Sequence, residues 1–192
     1  KIAMLTLTFS HKRKDKLKDI LDRFTSAVAK FNAGKSYHNI RLEMDVIGRI
    51  RVFEVTYGSN GFHPHIHIAI FYRNEIDLKA MEKRMYDLWS KACLKNGLTT
   101  SKKHGLSLQD GDAAETYLSK YGTWSLDQEM SKSHIKVAKN GSMTPFDFLR
   151  EYLETGNENM LRLFEEYFYC FKGRKQLHWS KGLKNMFNLE EK

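Results

Sequence analysis

The stretch Phe62-His63-Pro64-His65-Ile66-His67-Ile68-Ala69-Ile70-Phe71 constrains this chain more than any other, because it places three of the eight histidines at alternate positions in an apolar run. Successive side chains of a strand point to opposite faces, so His63, His65 and His67 share one face and Ile66, Ile68 and Ile70 the other. One face is core and the other is imidazole. Same-face neighbours on a strand stand roughly 7 Å apart, and packing gives no reason for a row of imidazoles at that spacing. Coordination of a divalent metal does.

A second strand-like run, Arg49 to Tyr57, precedes the first, with Gly58-Ser59-Asn60-Gly61 between them. The pair reads as a β-hairpin. A loop centred on Ser59-Asn60 pairs residues whose numbers add to 119 and so sets Glu54 opposite His65. Glu54 is charged among Val52, Phe53 and Val55, and in this register it shares the imidazole face, across from His65 and diagonal to His67. The expected site is two histidines and one carboxylate with open positions, which suits one Mn²⁺ or Mg²⁺ ion in a catalytic role better than a closed structural zinc. His63 lies on the same face beside the turn and is expected to touch substrate or support the ligands.

Around this hairpin the periodicities fall into a simple order. Lys1 to Phe9 is strand-like, and Arg13 to Phe31 carries apolar residues at helical steps through Leu17, Ile20, Leu21, Phe24 and Val28. Ala33 to Asn39 is a polar connection. Asp77 to Leu94 repeats the helical period, Gly105 to Gln109 is a short strand, and Asp112 to Tyr121 is a short helix capped by Asp112. Beyond Gly122 the pattern is helical only: Ser125 to Lys139, Thr144 to Glu154 with Pro145 at its first position, and Glu158 to Phe171. The expected fold is α+β, a central antiparallel sheet with flanking helices followed by a helical C-terminal extension, divided at 1–122 and 123–192.

Composition narrows the class of partner. With 32 Lys+Arg against 23 Asp+Glu, the chain of 192 residues carries a formal charge of +9. That balance favours an anionic partner, nucleic acid first. Basic residues cluster at Lys12, Arg13 and Lys14, at Lys102 and Lys103, and at Arg174 and Lys175, and together they can neutralise several phosphates. Trp124, Trp179, Phe62 and Tyr57 are candidates for base stacking. No apolar run is long enough to span a membrane and no secretory leader opens the chain, so a cytoplasmic protein without a membrane partner is expected. Cys93 and Cys170 are too far apart in sequence to suggest a thiolate metal site. The start on Lys1 rather than Met is what a fragment of a longer protein shows.

In Ala113-Ala114-Glu115-Thr116-Tyr117-Leu118-Ser119-Lys120-Tyr121, helical spacing puts Tyr117, Lys120 and Tyr121 on one face. Phenol attacks phosphorus only with help from a cation that favours phenolate and a metal that polarises the phosphate. Lys120 and the histidine strand offer both, although tyrosines at this spacing are also common in packing.

Three motifs in order then resemble the HUH endonucleases, in particular the rolling-circle replication initiator (Rep) proteins of small plasmids and phages: Leu5-Thr6-Leu7-Thr8-Phe9 with His11, His65-Ile66-His67, and Tyr117-Leu118-Ser119-Lys120. The segment Gly173 to Lys184 is similar to the C-terminal region of plasmid Rep proteins. The resemblance implies that Tyr117 attacks a phosphodiester of single-stranded or hairpin origin DNA, leaving a 5′-phosphotyrosine and a free 3′-OH, with the metal on His65, His67 and Glu54. It implies host helicase and polymerase as partners. Tyr121, four residues on, is a second nucleophile or a packing residue. The same motifs leave open an HUH transposase or relaxase, a non-catalytic DNA-binding module with a structural metal, or a metal-dependent hydrolase of small substrates.

Overall fold

The computed structural model describes residues 1–111 and 142–188. The first strand, β1 (Ile2–Leu7), runs into helices α1 (Leu17–Ala33) and α2 (Lys35–Glu43), and these are followed by the long hairpin β2 (Val46–Gly58) and β3 (Gly61–Tyr72). Next come α3 (Leu78–Lys95) and β4 (Leu106–Gln109), then α4 (Pro145–Thr155), α5 (Glu158–Phe171), β5 (Leu177–Trp179) and α6 (Leu183–Met186). The five strands form one antiparallel sheet in the order β4-β1-β3-β2-β5. The α+β class read from the sequence therefore holds, with β3, the histidine strand, at the centre.

One face of the sheet carries the main core. Leu5 and Leu7 of β1, Phe53 and Val55 of β2, and Ile66, Ile68 and Ile70 of β3 all lie in it. The apolar stripe of α1 (Leu17, Ile20, Leu21, Phe24, Val28, Phe31) closes on that face together with Trp89 of α3, whose ring meets Phe24 and Phe31 edge-on. Side chains of this size contribute about 1.5–3 kcal/mol each when fully buried. The C-terminal helices join the same core: Phe148 of α4 packs edge-on to Tyr57 and Phe62, and Phe171 of α5 to Phe53. Thr144 caps α4 in a reciprocal box with Asp147, with Pro145 at the first helical position as the sequence predicts.

Three departures from the sequence reading follow from local chemistry. The polar connection is a helix, α2, whose two buried residues Tyr37 and Ile40 lie three apart in an otherwise polar segment. The extension is not helical only, since β5 pairs with β2 through Ile50–Trp179, Arg51–His178 and Val52–Leu177. Phe62 is a core residue, 4% exposed, and stacks on no base. The expected helices over 112–121 and 125–139 lie outside the described residues.

Among the described residues, the other face carries apolar packing at one end. Ile50, Ala69, Phe71 and Leu183 form a small second cluster rimmed by Ile2, Ile47 and Trp179. Gly48 makes this possible, because a Cβ there would collide with Leu183. Further along the same face the apolar residues stop and the histidines begin.

Candidate metal centre

Strand pairing brings the three expected ligands together. Cα partners in the hairpin are Glu54 and His65, Val52 and His67, Thr56 and His63, the register that the turn arithmetic gives. Glu54 Oε2 lies 3.1 Å from His65 Nε2 and 3.9 Å from His67 Nε2, and the three side chains are 13–20% exposed. Among the described residues, Glu54, His65 and His67 form the one cluster of metal-binding groups, each offering a ligand atom within 4.8 Å of the others. Ligands bound at about 2.1 Å and at right angles to one another stand about 3 Å apart, so the spacing fits a single ion.

The hydrogen bonds behind the ligands say which nitrogen faces the ion. His65 Nδ1 lies 3.0 Å from the carbonyl oxygen of His63. A carbonyl only accepts, so Nδ1 carries the hydrogen and Nε2 turns toward Glu54. That Nε2 lies 3.1 Å from Glu54 Oε2, so the two can share a cation, whether a proton or a metal ion. His67 is held likewise, its Nδ1 at 2.9 Å from Thr6 Oγ1. Metal-ligating histidines usually have the other ring nitrogen fixed in this way, which sets tautomer and orientation. The donor set of two imidazoles and a carboxylate fits a divalent ion with free positions.

His63 stands apart from the ligand cluster. Its Nδ1 is 2.7 Å from His11 Nε2 and its Nε2 is 3.2 Å from Thr8 Oγ1, while His11 Nδ1 reaches the Asn60 carbonyl at 2.9 Å. Both ring nitrogens are engaged, and the ring stacks on His65 with centroids 5.2 Å apart. Burial, reinforced by the neighbouring His65 and His11, pushes the His63 imidazole down to about 3, so it is neutral at physiological pH. The Asn60 carbonyl can only accept, so His11 Nδ1–H donates to it, and His11 Nε2, His63 and the Thr8 hydroxyl continue the chain. His63 thus ties the hairpin turn to the end of β1 while its main-chain carbonyl orients His65.

Thr6 and Thr8 are the site residues whose roles sequence reasoning missed. The signal was there: they alternate with Leu5, Leu7 and Phe9, which puts both on the imidazole side of β1. Trp89 adds a further anchor from the core side, its Nε1–H donating to the Thr8 carbonyl at 2.9 Å.

Beside His63 lies a shallow cleft of about 390 Å³ lined by Thr8, Phe9, Ser10, His63, Ser101, His104 and Gly105. Two of the basic runs border this end of the molecule. Lys102 and Lys103 are exposed in the turn that carries Ser101 and His104. Lys12, Arg13 and Lys14 are exposed against the hairpin turn, where Gly61 at φ +85° leaves 3.1 Å between the position of a Cβ and Arg13 Cα. Arg174 is elsewhere and already employed: its guanidinium meets Asp22 of α1 at 3.1 Å and the Cys170 carbonyl at 2.8 Å. Lys175 is exposed next to it. Tyr117, Lys120, Tyr121 and Trp124 lie outside the described residues.

Fold and site together define an α+β protein with a histidine–carboxylate cluster on one face of its sheet. The chain is similar to "Protein rep" of Streptomyces lividans, 24% identical over 192 residues, an alignment that covers 79% of this chain and 42% of that protein. The chain therefore spans less than half the length of the relative it matches. No family model and no solved structure matches it. None of its described helices is long and apolar enough to cross a membrane.

Proposed function

We propose that this chain is the nicking module of a replication initiator, a metal-dependent single-strand DNA endonuclease that uses Tyr117 as nucleophile and acts as both nickase and strand joiner. The observation that carries the reading is the meeting of Glu54, His65 and His67 on one face of the sheet, with Nε2 of both rings turned toward the carboxylate. The similarity to a protein named for replication, the net charge of +9 and the two basic runs beside the cleft support it.

In this reading His65, His67 and Glu54 hold one Mn²⁺ or Mg²⁺. The ion supplies Lewis-acid polarisation of a non-bridging phosphate oxygen. Glu54 keeps the site anionic enough to retain it, while His63 and Thr6 hold the two rings in place. Tyr117 attacks the scissile phosphorus, forming a Tyr–O–P bond as the bond to the 3′-oxygen breaks, and Lys120 favours the phenolate. The leaving oxygen takes up a proton and becomes the 3′-OH that primes synthesis. The bond energy stays in the phosphotyrosine, so a second 3′-OH can reverse the step without ATP. Lys12, Arg13, Lys14, Lys102 and Lys103 grip the origin strand, and Tyr121 serves a second transfer. A host helicase and polymerase would act on the product.

A denaturing gel tests this. The chain incubated with a labelled hairpin oligonucleotide of the origin and Mn²⁺ gives a covalent adduct that is lost with EDTA and in Tyr117→Phe. Adduct persisting in Tyr117→Phe but lost in the variant that also carries Tyr121→Phe moves the nucleophile to Tyr121. Adduct in the double variant, or tight binding without any adduct in the unsubstituted chain, overturns the mechanism.

A further inference from the structure

Among the described residues, the buried Arg41 Nε and Arg51 Nε lack a hydrogen-bond partner, and the buried Tyr37 Oη has only the Arg49 guanidinium to bond with, which leaves its hydrogen unused. All three carry a hydrogen to donate, and all three lie in one region, on the side of the sheet away from the histidines. Tyr37 and Arg41 are four residues apart and share a side of α2. Arg51 projects from β2 on the same face as Phe53 and Val55, with Arg49 two residues before it. Arg49 closes the group, its Nη1 donating to Asn32 Oδ1 of α1 at 2.9 Å.

Proximity shows in the electrostatics as well. Burial raises the Tyr37 phenol, and the charges of Arg49 and Arg41 work against that rise. Burial lowers Arg51, and the charge of Arg49 lowers it further. No carboxylate answers these cations: among the described residues no ion pair involves Arg41, Arg49 or Arg51, and the nearby acids Glu43 and Asp45 are taken by Arg84 and Arg73. Like charges about 7 Å apart on one strand face repel, and partly buried guanidiniums without a counter-charge are costly. Water can satisfy the donors but cannot balance the charge. An oxyanion with several acceptor oxygens does both.

We propose that Arg41, Arg49, Arg51 and Tyr37 form a phosphate-binding site on the helix-covered side of the sheet, distinct from the metal cluster and independent of the nicking chemistry. The planar guanidinium forks match phosphate oxygens in pairs, and the Tyr37 hydroxyl adds a single donor. Arg51 pairs with the exposed His178 of β5, the edge strand of the sheet. The ligand is a phosphate group, belonging either to the DNA backbone or to a free phosphate.

Calorimetric titration of the full chain with inorganic phosphate, against chloride at matched ionic strength, tests the site. Saturable binding is expected, weakened about tenfold or more in Arg51→Met and Arg41→Met and less in Tyr37→Phe. Arg51→Met without phosphate should melt no lower than the unsubstituted chain, because an unpaired buried charge has gone. Should that variant fail to fold, Arg51→Lys keeps the charge, loses the fork and should also bind more weakly. Absence of saturable binding, or affinity in both arginine variants unchanged from that of the unsubstituted chain, overturns the proposal. A second arm identifies the source. If Arg51→Met lowers the slope of log affinity for an oligonucleotide against log salt by about one, the phosphate is the DNA's. If it leaves that slope unchanged while abolishing the phosphate heat, the ligand is free phosphate.

Discussion

The two faces of β3 are built from one short stretch of sequence and do opposite things. Ile66, Ile68 and Ile70 are 1–2% exposed in a core that helices close, whereas His65 and His67 on the reverse side stand beside Glu54 and are 13% and 19% exposed. The apolar face determines where the backbone lies. The polar face then inherits that placement, so the ligand geometry rests on packing to which the ligands contribute little. A histidine–carboxylate cluster on a rigid sheet can therefore be chemically specialised without having to hold the fold together.

That contrast can be tested from both sides. Replacing Glu54, His65 or His67 with Ala should abolish metal-dependent nicking in the gel assay while leaving the urea midpoint of the metal-free chain close to that of the unsubstituted one; a large drop in midpoint would show that the cluster supports the fold. On the other face, Ile66→Ala should cost about 2–5 kcal/mol of unfolding free energy through lost burial and a cavity, measured by urea denaturation. Thr6→Val is intermediate, since it removes the hydrogen bond behind His67 and keeps the shape. Metal affinity by calorimetry should fall about 10–100-fold with little change in the metal-free melting temperature. Gly48→Ala addresses the covered end of the site face. Its Cβ would meet Leu183, and overpacking of this kind costs about 1–3 kcal/mol; thermal melting should fall accordingly, and Leu183→Ala in the same chain should restore part of the loss. The smallest effect concerns Cys93, whose thiol burial pushes up to about 12. It should resist alkylation at neutral pH in the folded chain and react only on unfolding, which mass spectrometry of the modified peptides will show.

Much of this contrast was legible before any coordinates. Alternation in β3 and a two-residue turn were enough to place Glu54 opposite His65, because a strand's period of two leaves no freedom once the register is known. What stayed hidden depended on partners distant in sequence. Thr6 meets His67 only because β1 pairs with β3, a non-local choice that no local pattern announces. β5 is three residues long, and Leu177-His178-Trp179 becomes a strand only against an edge of β2 that extends past the histidine site. α2 buries just Tyr37 and Ile40, too few to show a helical period. The cation cluster escaped for a related reason: Arg41, Arg49 and Arg51 stand in no basic run, and only the fold turns them inward with no acid paired to them.

The central place of β3 has a further consequence, for the thermodynamics of ion uptake. A strand with neighbours on both sides opens only when the whole sheet does, so its backbone is ordered before any ion arrives. Metal entry should then settle a few side-chain torsions and displace solvent without burying new apolar surface. The heat capacity change of binding should be close to zero, the denaturant m-value should not alter, and the ion's contribution to stability should follow mass action alone. A zinc-finger-like domain, where ligation and folding are one event, would give the opposite on all three counts.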